Sequence, residues 1–400
     1  MRAESISKQA IACNEQPLLP YGRQWIDNED IAEVVSVLRG DWMTQGPIVA
    51  AFENALAEYC GARYAVAVSN GTAALHLACL AAGVRKNDVG ITSPITFVAS
   101  ANCIAYCDGI PTFADIDPAT ITIDPIALEE TCERQPPKVI IPVDFAGQPA
   151  DLPAIYKIAK KYEAIVIQDA AHSLGATYEC SGKLYKAGSC IHSDMTILSF
   201  HPVKHITTGE GGAILTNNPD FYQSLLELRT HGITKDASRM TRNDGAWYYE
   251  QQQLGFNYRI TDFQCALGLS QLRKLNEFIR RRRELVSIYQ SLLSGLLNNV
   301  RLLTELPGRN SSYHLLVAMF RDGYVRRRVF DKLREKGIYA QVHYIPVHLQ
   351  PWYREQFGYG DGDLPIAESY YSRCLSLPLY PRMSEGDVRR VAAVLHEIDL

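Results

Sequence analysis

No stretch of this 400-residue chain comes near the roughly 20 consecutive apolar residues that a membrane helix needs. Charge of one sign is also missing. Forty basic side chains against 44 acidic ones leave a net −4, which gives no reason to expect nucleic acid as a partner. Ten cysteines are present without a single C-x-x-C pair, which argues against metal or disulfide roles. Their apolar settings, as at Cys79, Cys103 and Cys107, fit buried free thiols in a reducing cytosol. Residues 1–17 are polar and lack the apolar core of a signal peptide, so a cytoplasmic location away from membranes is expected. Internal repeats and low-complexity tracts are absent too. What remains is an ordinary soluble composition, 47% apolar and 21% charged, long enough for one large or two moderate domains.

Organisation follows from hydrophobic patterning. Residues 1–25 read as an arm. A helix from Asp27 carries Ile31, Val34, Val35 and Leu38 on one face, and a second helix runs to about Tyr59. Short apolar runs then alternate with helical patterns. Strands are expected over 65–68, 90–92, 112–115, 139–143, 164–168, 196–200 and 213–215, with helices over 73–82, 99–106 and 154–162. This alternation predicts an α/β fold with a mostly parallel central sheet and helices on both faces. The large domain is expected to span 26–266. A helix starting near Thr261-Asp262 leads from it into a smaller C-terminal α+β domain, the two together covering 267–400. The arginines at 280–283 lie within that helical pattern and read as a solvated face.

In such sheets ligands bind beyond the carboxyl ends of the strands, where the notable motifs fall. At 199–204, S-F-H-P-V-K sets Lys204 at the end of an apolar run, where desolvation favours a neutral, nucleophilic amine. At 69–75, S-N-G-T-A-A-L ends a strand and opens a helix, whose free N–H groups at Gly71 and Thr72 can cradle a phosphate. A capped helix with no ligand fits that motif equally well. Ser199 can add a further phosphate hydrogen bond. Asp169 emerges from the run Val166-Ile167 and needs a cationic or hydrogen-bonding partner; a protonated pyridine nitrogen would serve, as would an ordinary N-cap or salt bridge. Ala171 is small enough for a ring to lie against it, and Phe97 can stack on the opposite face or belong to the core. His172 can reach a cofactor hydroxyl or be an interior histidine.

The order N-G-T-A-A-L, D-A-A-H-S-L-G-A, S-F-H-P-V-K, T-T-G-E-G-G and G-F-N-Y-R-I-T-D resembles the StrS/DegT-type sugar aminotransferases, from Pro20 to the C-terminus. H-Y-I-P-V-H-L-Q-P at 343–351 and L-S-L-P-L at 375–379 belong to the same resemblance. It implies the pyridoxal-phosphate-dependent transferase fold of aspartate aminotransferase, fold type I. It further implies a dimer with shared active sites, L-glutamate as amino donor with 2-oxoglutarate as its product, and pyridoxamine phosphate as the intermediate form of the cofactor. P-I-T-F-V-A-S at 94–100, F-A-G-Q at 145–148 and W-Y-Y-E at 247–250 resemble the branch that makes the pseudaminic acid precursor from a UDP-4-keto-6-deoxy-N-acetylhexosamine, a route tied to flagellin glycosylation.

Carried onto matching positions, the resemblance makes Lys204 the cofactor-linked lysine and Asp169 the ring-nitrogen partner. It gives Gly71, Thr72 and Ser199 the phosphate, Phe97 and Ala171 the ring faces, and His172 the phenolic oxygen. Asn257 would reach the phosphate of the second subunit. Sugar contacts are expected from the arm, 247–250 and 343–348. Two departures stand out: Asp144, where many relatives have histidine, and Gly90, where a branched aliphatic residue is usual. Other nucleotide-linked 4-keto or 3-keto sugars are the alternative substrates. A pyridoxamine-dependent dehydratase would need histidine at position 204, and a non-catalytic regulator would need a DNA-binding module that this chain lacks.

Overall fold

The computed structural model describes residues 17–296, 299–303 and 305–398. The portion of the expected arm before Pro17 lies outside the described residues. The rest of the arm is docked on the C-terminal region. Leu19 is buried, its N–H donates to Gly337 O (2.9 Å) and its carbonyl accepts from Tyr339 N (2.8 Å).

Helix α1 (Asn28–Leu38) starts at a reciprocal cap, Asp27 accepting from the Asp30 N–H while the Asp30 carboxylate accepts from the Asp27 N–H. Helix α2 (Pro47–Cys60) opens on a proline and stops at Gly61 in the left-handed region. Strand β1 (Tyr64–Val68) and helix α3 (Gly71–Ala81) follow. Next come β2 (Val89–Thr92), α4 (Ala99–Ala105), β3 (Ile110–Phe113), α5 (Pro125–Arg134), β4 (Val139–Ile141), α6 (Leu152–Lys161) and β5 (Ile165–Asp169). A hairpin of β6 (Thr177–Cys180) and β7 (Lys183–Lys186) interrupts the alternation before β8 (Met195–Ser199) and β9 (Gly212–Thr216).

The main sheet has seven strands in the order β1-β9-β8-β5-β4-β2-β3. Neighbours from β8 to β3 are parallel, whereas β9 is antiparallel to both β1 and β8. Its strands are short apolar runs covered on both faces, as a parallel sheet requires. The glycine at position 90 has a packing reason: a Cβ there would lie 2.5 Å from Cδ1 and 2.7 Å from Cγ1 of Ile104, so helix α4 sits against bare backbone.

Helices α7 (Pro219–Arg229) and α8 (Asp262–Leu292) flank the short pair β10 (Ile233–Thr234) and β11 (Glu250–Gln251). Helix α8 packs along α1 and α2 and leads to a second sheet. There β12 (Val300–Leu302), β14 (Leu316–Phe320) and β15 (Cys374–Leu377) form an antiparallel trio, while β13 (Arg309–Asn310) joins β6. Helices α9 (Gly323–Glu335), α10 (Pro351–Phe357), α11 (Pro365–Arg373) and α12 (Glu385–His396) complete the chain.

Packing shows what covers two helix faces and corrects the reading of one. Ile31 and Leu38 of the apolar stripe on α1 are 53% and 49% exposed. The face turned to α8 carries Asp30 instead, fully buried and bound by Gln271 Nε2 (2.8 Å) and Lys274 Nζ (3.1 Å). The run 280–283 is not a uniformly solvated face. Arg280 is exposed and pairs with Glu277 and Glu284, but Arg282 is buried, its Nη1 donating to the carbonyls of Tyr313, His314 and Leu379. Burial lowers the Arg282 guanidinium to about 10. Arg282→Met is expected to lower stability by about 2–4 kcal/mol, because three buried carbonyls lose their donor. A fall in the thermal unfolding midpoint checks this.

Candidate active site

The carboxyl edge of the main sheet collects the loops after β1, β2, β5 and β8. Because β9 runs the other way, the segment leading into it lies at the same edge. Together they enclose a cavity of about 730 Å³. Gly71, Thr72 and Ser199 line one part of it. The Asn70 side chain accepts from Ala73 N (2.8 Å), and the N–H groups of Gly71 and Thr72 precede the first intrahelical donor, Ala74 N, so they stay available to an anion. Close approach is built in here, since a Cβ on Gly71 would lie 3.0 Å from Ser199 Cβ.

Phe97, Ala171 and His172 line the cavity with Asp169 and Lys204. Phe97 is 58% exposed, its ring bare within the opening rather than part of the core. Asn257 is not among the lining residues; it is exposed on the chain's own surface and bridges backbone to Thr230. Of the expected sugar contacts, Tyr21 of the arm, His343 and Tyr344 line the cavity. The segment 247–250 does not, and Trp247 stands exposed.

Burial lowers the Lys204 amine from 10.5 to about 8, against an opposing pull from the Asp169 charge. Burial likewise raises Asp169, while hydrogen bonds from Ser100 and the Ala171 N–H and the charge of Lys204 work the other way. Lys204 therefore supplies neutral amine near pH 8, where an unburied lysine supplies almost none. Between about 8 and 10.5 the unfolded chain binds the extra proton at Lys204 and the folded one does not. Stability of the cofactor-free protein thus gains from this group as pH rises through that window, and burying the charged amine opposes folding below it. The rate at which cofactor-free protein takes up pyridoxal phosphate is expected to rise with pH around a midpoint near 8, followed by absorbance.

Beneath the lysine lies a layer of imidazoles. His172 and His314 rings are 4.3 Å apart, and His205 is 5.5 Å from His314. Burial, reinforced by neighbouring cations, holds all three well below the usual imidazole range. His172 Nε2 meets the Tyr344 hydroxyl at 3.2 Å, and His205 Nε2 meets Ser312 O at 3.1 Å. Asp144 is fully buried and points away from the cavity, taking Ser173 Oγ (2.5 Å), Gln168 Nε2 (2.6 Å) and Ala150 N (3.0 Å). Burial raises its carboxyl to about 7. Its side chain therefore supports the loop after β5 from beneath and does not line the cavity.

Sequence reading overlooked the Ser100 hydroxyl on Asp169 (2.7 Å) and the Tyr344 hydroxyl on His172. A threonine and a serine four residues apart at the start of a helix were the available signal for the first. Nothing in the sequence brought Tyr344 to His172.

An amine that burial makes easier to deprotonate, a buried carboxylate and an anion cradle around one cavity suit pyridoxal phosphate, and the structures that superpose on this chain belong to that class of aminotransferases. PseC of Helicobacter pylori, an aminotransferase involved in pseudaminic acid biosynthesis, aligns with a TM-score of 0.86 at 30% identity, over 95% of this chain and 99% of PseC. Spr1654 of Streptococcus pneumoniae in its PLP form gives 0.86 at 28% identity, over 95% and 99%. A PMP form of the same protein is also known. In sequence, SpsC of Bacillus subtilis, a spore coat polysaccharide biosynthesis protein, is 38% identical over 384 residues, 95% of this chain and 97% of SpsC. Residues 24–396 match the DegT/DnrJ/EryC1/StrS aminotransferase family, and the chain belongs to it. It is a pyridoxal-phosphate-dependent aminotransferase.

Proposed function

We propose that the enzyme moves the amino group of L-glutamate to C4 of a UDP-linked 4-keto-6-deoxy-N-acetylhexosamine, giving 2-oxoglutarate and the amino sugar that precedes pseudaminic acid. The observation that carries the reading is that Lys204 and Asp169 line the same cavity as the open start of α3. Likeness to PseC over nearly the whole chain supports the sugar class.

Pyridoxal phosphate, when bound, supplies the carbonyl that receives the amine and a ring able to spread negative charge. The Gly71 and Thr72 N–H groups and the Ser199 hydroxyl would hold its phosphate. Phe97 and Ala171 would flank its ring, and His172, held by Tyr344, would be the partner for its phenolic oxygen. Asp169 would pair with the ring nitrogen and hold a proton there. Lys204 would anchor the cofactor, and its amine is the group that would take the proton from the donor's α-carbon. Histidine does not take that place: His205 is buried against Ser312, and His201 is an exposed wall of the opening, which disfavours a dehydratase.

A second copy of the chain completes the site in this reading. Ile31, Leu38, Trp42 and Met43 leave apolar surface uncovered, and Asn257 is free to reach the partner's phosphate. Free thiols at every described cysteine support residence in the cytoplasm. No helix among the described residues is long and apolar enough to cross a membrane.

The decisive experiment offers glutamate and a panel of UDP-4-keto-6-deoxy-HexNAc epimers, with products analysed by mass spectrometry and NMR. The expected result is a C4 amino sugar and 2-oxoglutarate from the β-L-arabino 4-ulose. Amination of a different keto sugar alone would overturn the substrate, and a deoxygenated product would favour the dehydratase.

A further inference from the structure

The loop between β2 and α4 delivers more than Phe97 to the cavity. Thr96 and Ser100 are one helical turn apart, and both are buried, at 2% and 1% exposure. Their hydroxyl oxygens lie 2.7 Å apart, and Ser100 Oγ lies 2.7 Å from Asp169 Oδ2. A serine has one proton to give. The carbonyl of Phe97 is its other acceptor, but at 3.4 Å it is the weaker one. With Asp169 ionised, the Ser100 proton goes to the carboxylate, and its oxygen is then free to accept from Thr96. The donor chain runs Thr96 to Ser100 to Asp169. The second carboxylate oxygen, Oδ1, accepts from the backbone N–H of Ala171 at 3.1 Å, a group that can only donate.

We infer that Ser100, oriented by Thr96, is a positioning residue that holds Asp169 ionised and fixes the direction in which its remaining lone pairs face the cavity. The inference rests on Asp169 being the partner of the ring nitrogen, as proposed above. The reasoning is electrostatic. A carboxylate this buried is driven toward its neutral form unless donors compensate for lost water. If the proton moved from the ring nitrogen to Asp169, the pair would become neutral and the ring would withdraw charge less well. The short Ser100 contact on Asp169, backed by the equally short Thr96–Ser100 contact, opposes that transfer from within the wall of the same cavity. The motif P-I-T-F-V-A-S thus brings both a ring and a pair of hydroxyls to the wall of one cavity.

The test compares Ser100→Ala, Ser100→Thr, Thr96→Val and Asp169→Asn with the native holoenzyme. Ser100→Ala is expected to lower kcat for the glutamate half-reaction by about 10–50-fold, the worth of a charge-assisted hydrogen bond. KM should stay within about 2-fold, because the donor is not touched. The pH midpoint of the visible absorption of the lysine-linked cofactor should rise by about half a unit or more, since a less positive ring depresses it less. Ser100→Thr keeps the hydroxyl and should recover most of the rate. Thr96→Val, which preserves shape, should shift both readouts in the same direction by less. A Ser100→Ala enzyme with native kcat, or with reduced kcat and an unmoved absorption midpoint, overturns the inference. So does a Thr96→Val enzyme in which neither readout moves. Asp169→Asn separates the two levels: native turnover and spectrum in that variant would sink the ring-nitrogen assignment itself, whereas an impaired Asp169→Asn beside a native-like Ser100→Ala would refute only the role of Ser100.

Discussion

Lys204→Ala is expected to abolish the visible absorption of the lysine-linked cofactor and to reduce turnover by at least about 10³-fold. Two functions leave together, the covalent anchor and the base, so added free amines should restore only a fraction of the rate. The loss should come without unfolding. Removing an amine that burial has pushed down to about 8 relieves an unfavourable charge in the cofactor-free protein at neutral pH, offsetting the lost packing of its stem. Absorption spectra, single-turnover kinetics with glutamate and a thermal melt at pH 7 check the three parts. A variant that kept both the absorption band and turnover would exclude Lys204 from both roles.

Asp169→Asn is expected to lower kcat by about 10²–10³-fold, with a smaller effect on KM for the amino donor. Asparagine is close in shape, but it cannot pair with a protonated ring nitrogen as an anion. The surroundings magnify this. Asp169 is 5% exposed, with donors on both oxygens, so water cannot substitute for the missing charge. Rates of the half-reaction with glutamate, set beside those with the keto sugar, should show both halves slowed, since each passes negative charge into the same ring.

Much of this was legible in the chain because the main sheet is covered on both faces. Its strands are short runs of Val, Ile and Ala between turn residues, and the expected limits lie within a few residues of those observed. Motifs at strand ends then fell together at one edge. The elements that escaped are those whose identity depends on distant partners. The β6–β7 hairpin is mostly exposed, with one buried anchor at Tyr178, and carries no strong alternation. Arg282 looks like its charged neighbours until the carbonyls of Tyr313, His314 and Leu379, which lie far along the chain, converge on it. The stripe on α1 was periodic, yet periodicity does not say what covers it. Asp144 stood out only as a departure from the resemblance, and nothing in the sequence showed that its side chain turns inward to Ser173 and Gln168.

The reversed direction of β9 has a mechanical consequence. The segment bearing Lys204 leaves β8 and returns in the adjacent strand, and it is closed at its base by Phe200 N to Gly211 O (2.9 Å) and Thr208 N to Phe200 O (3.1 Å). Both ends of the tether are therefore laced into one ladder, which leaves the backbone little slack. Whatever distance the amine must travel between anchoring and proton transfer has to come from rotation about the four methylenes of its own stem, so its reach is set by side-chain torsions and its working radius is only a few bonds long.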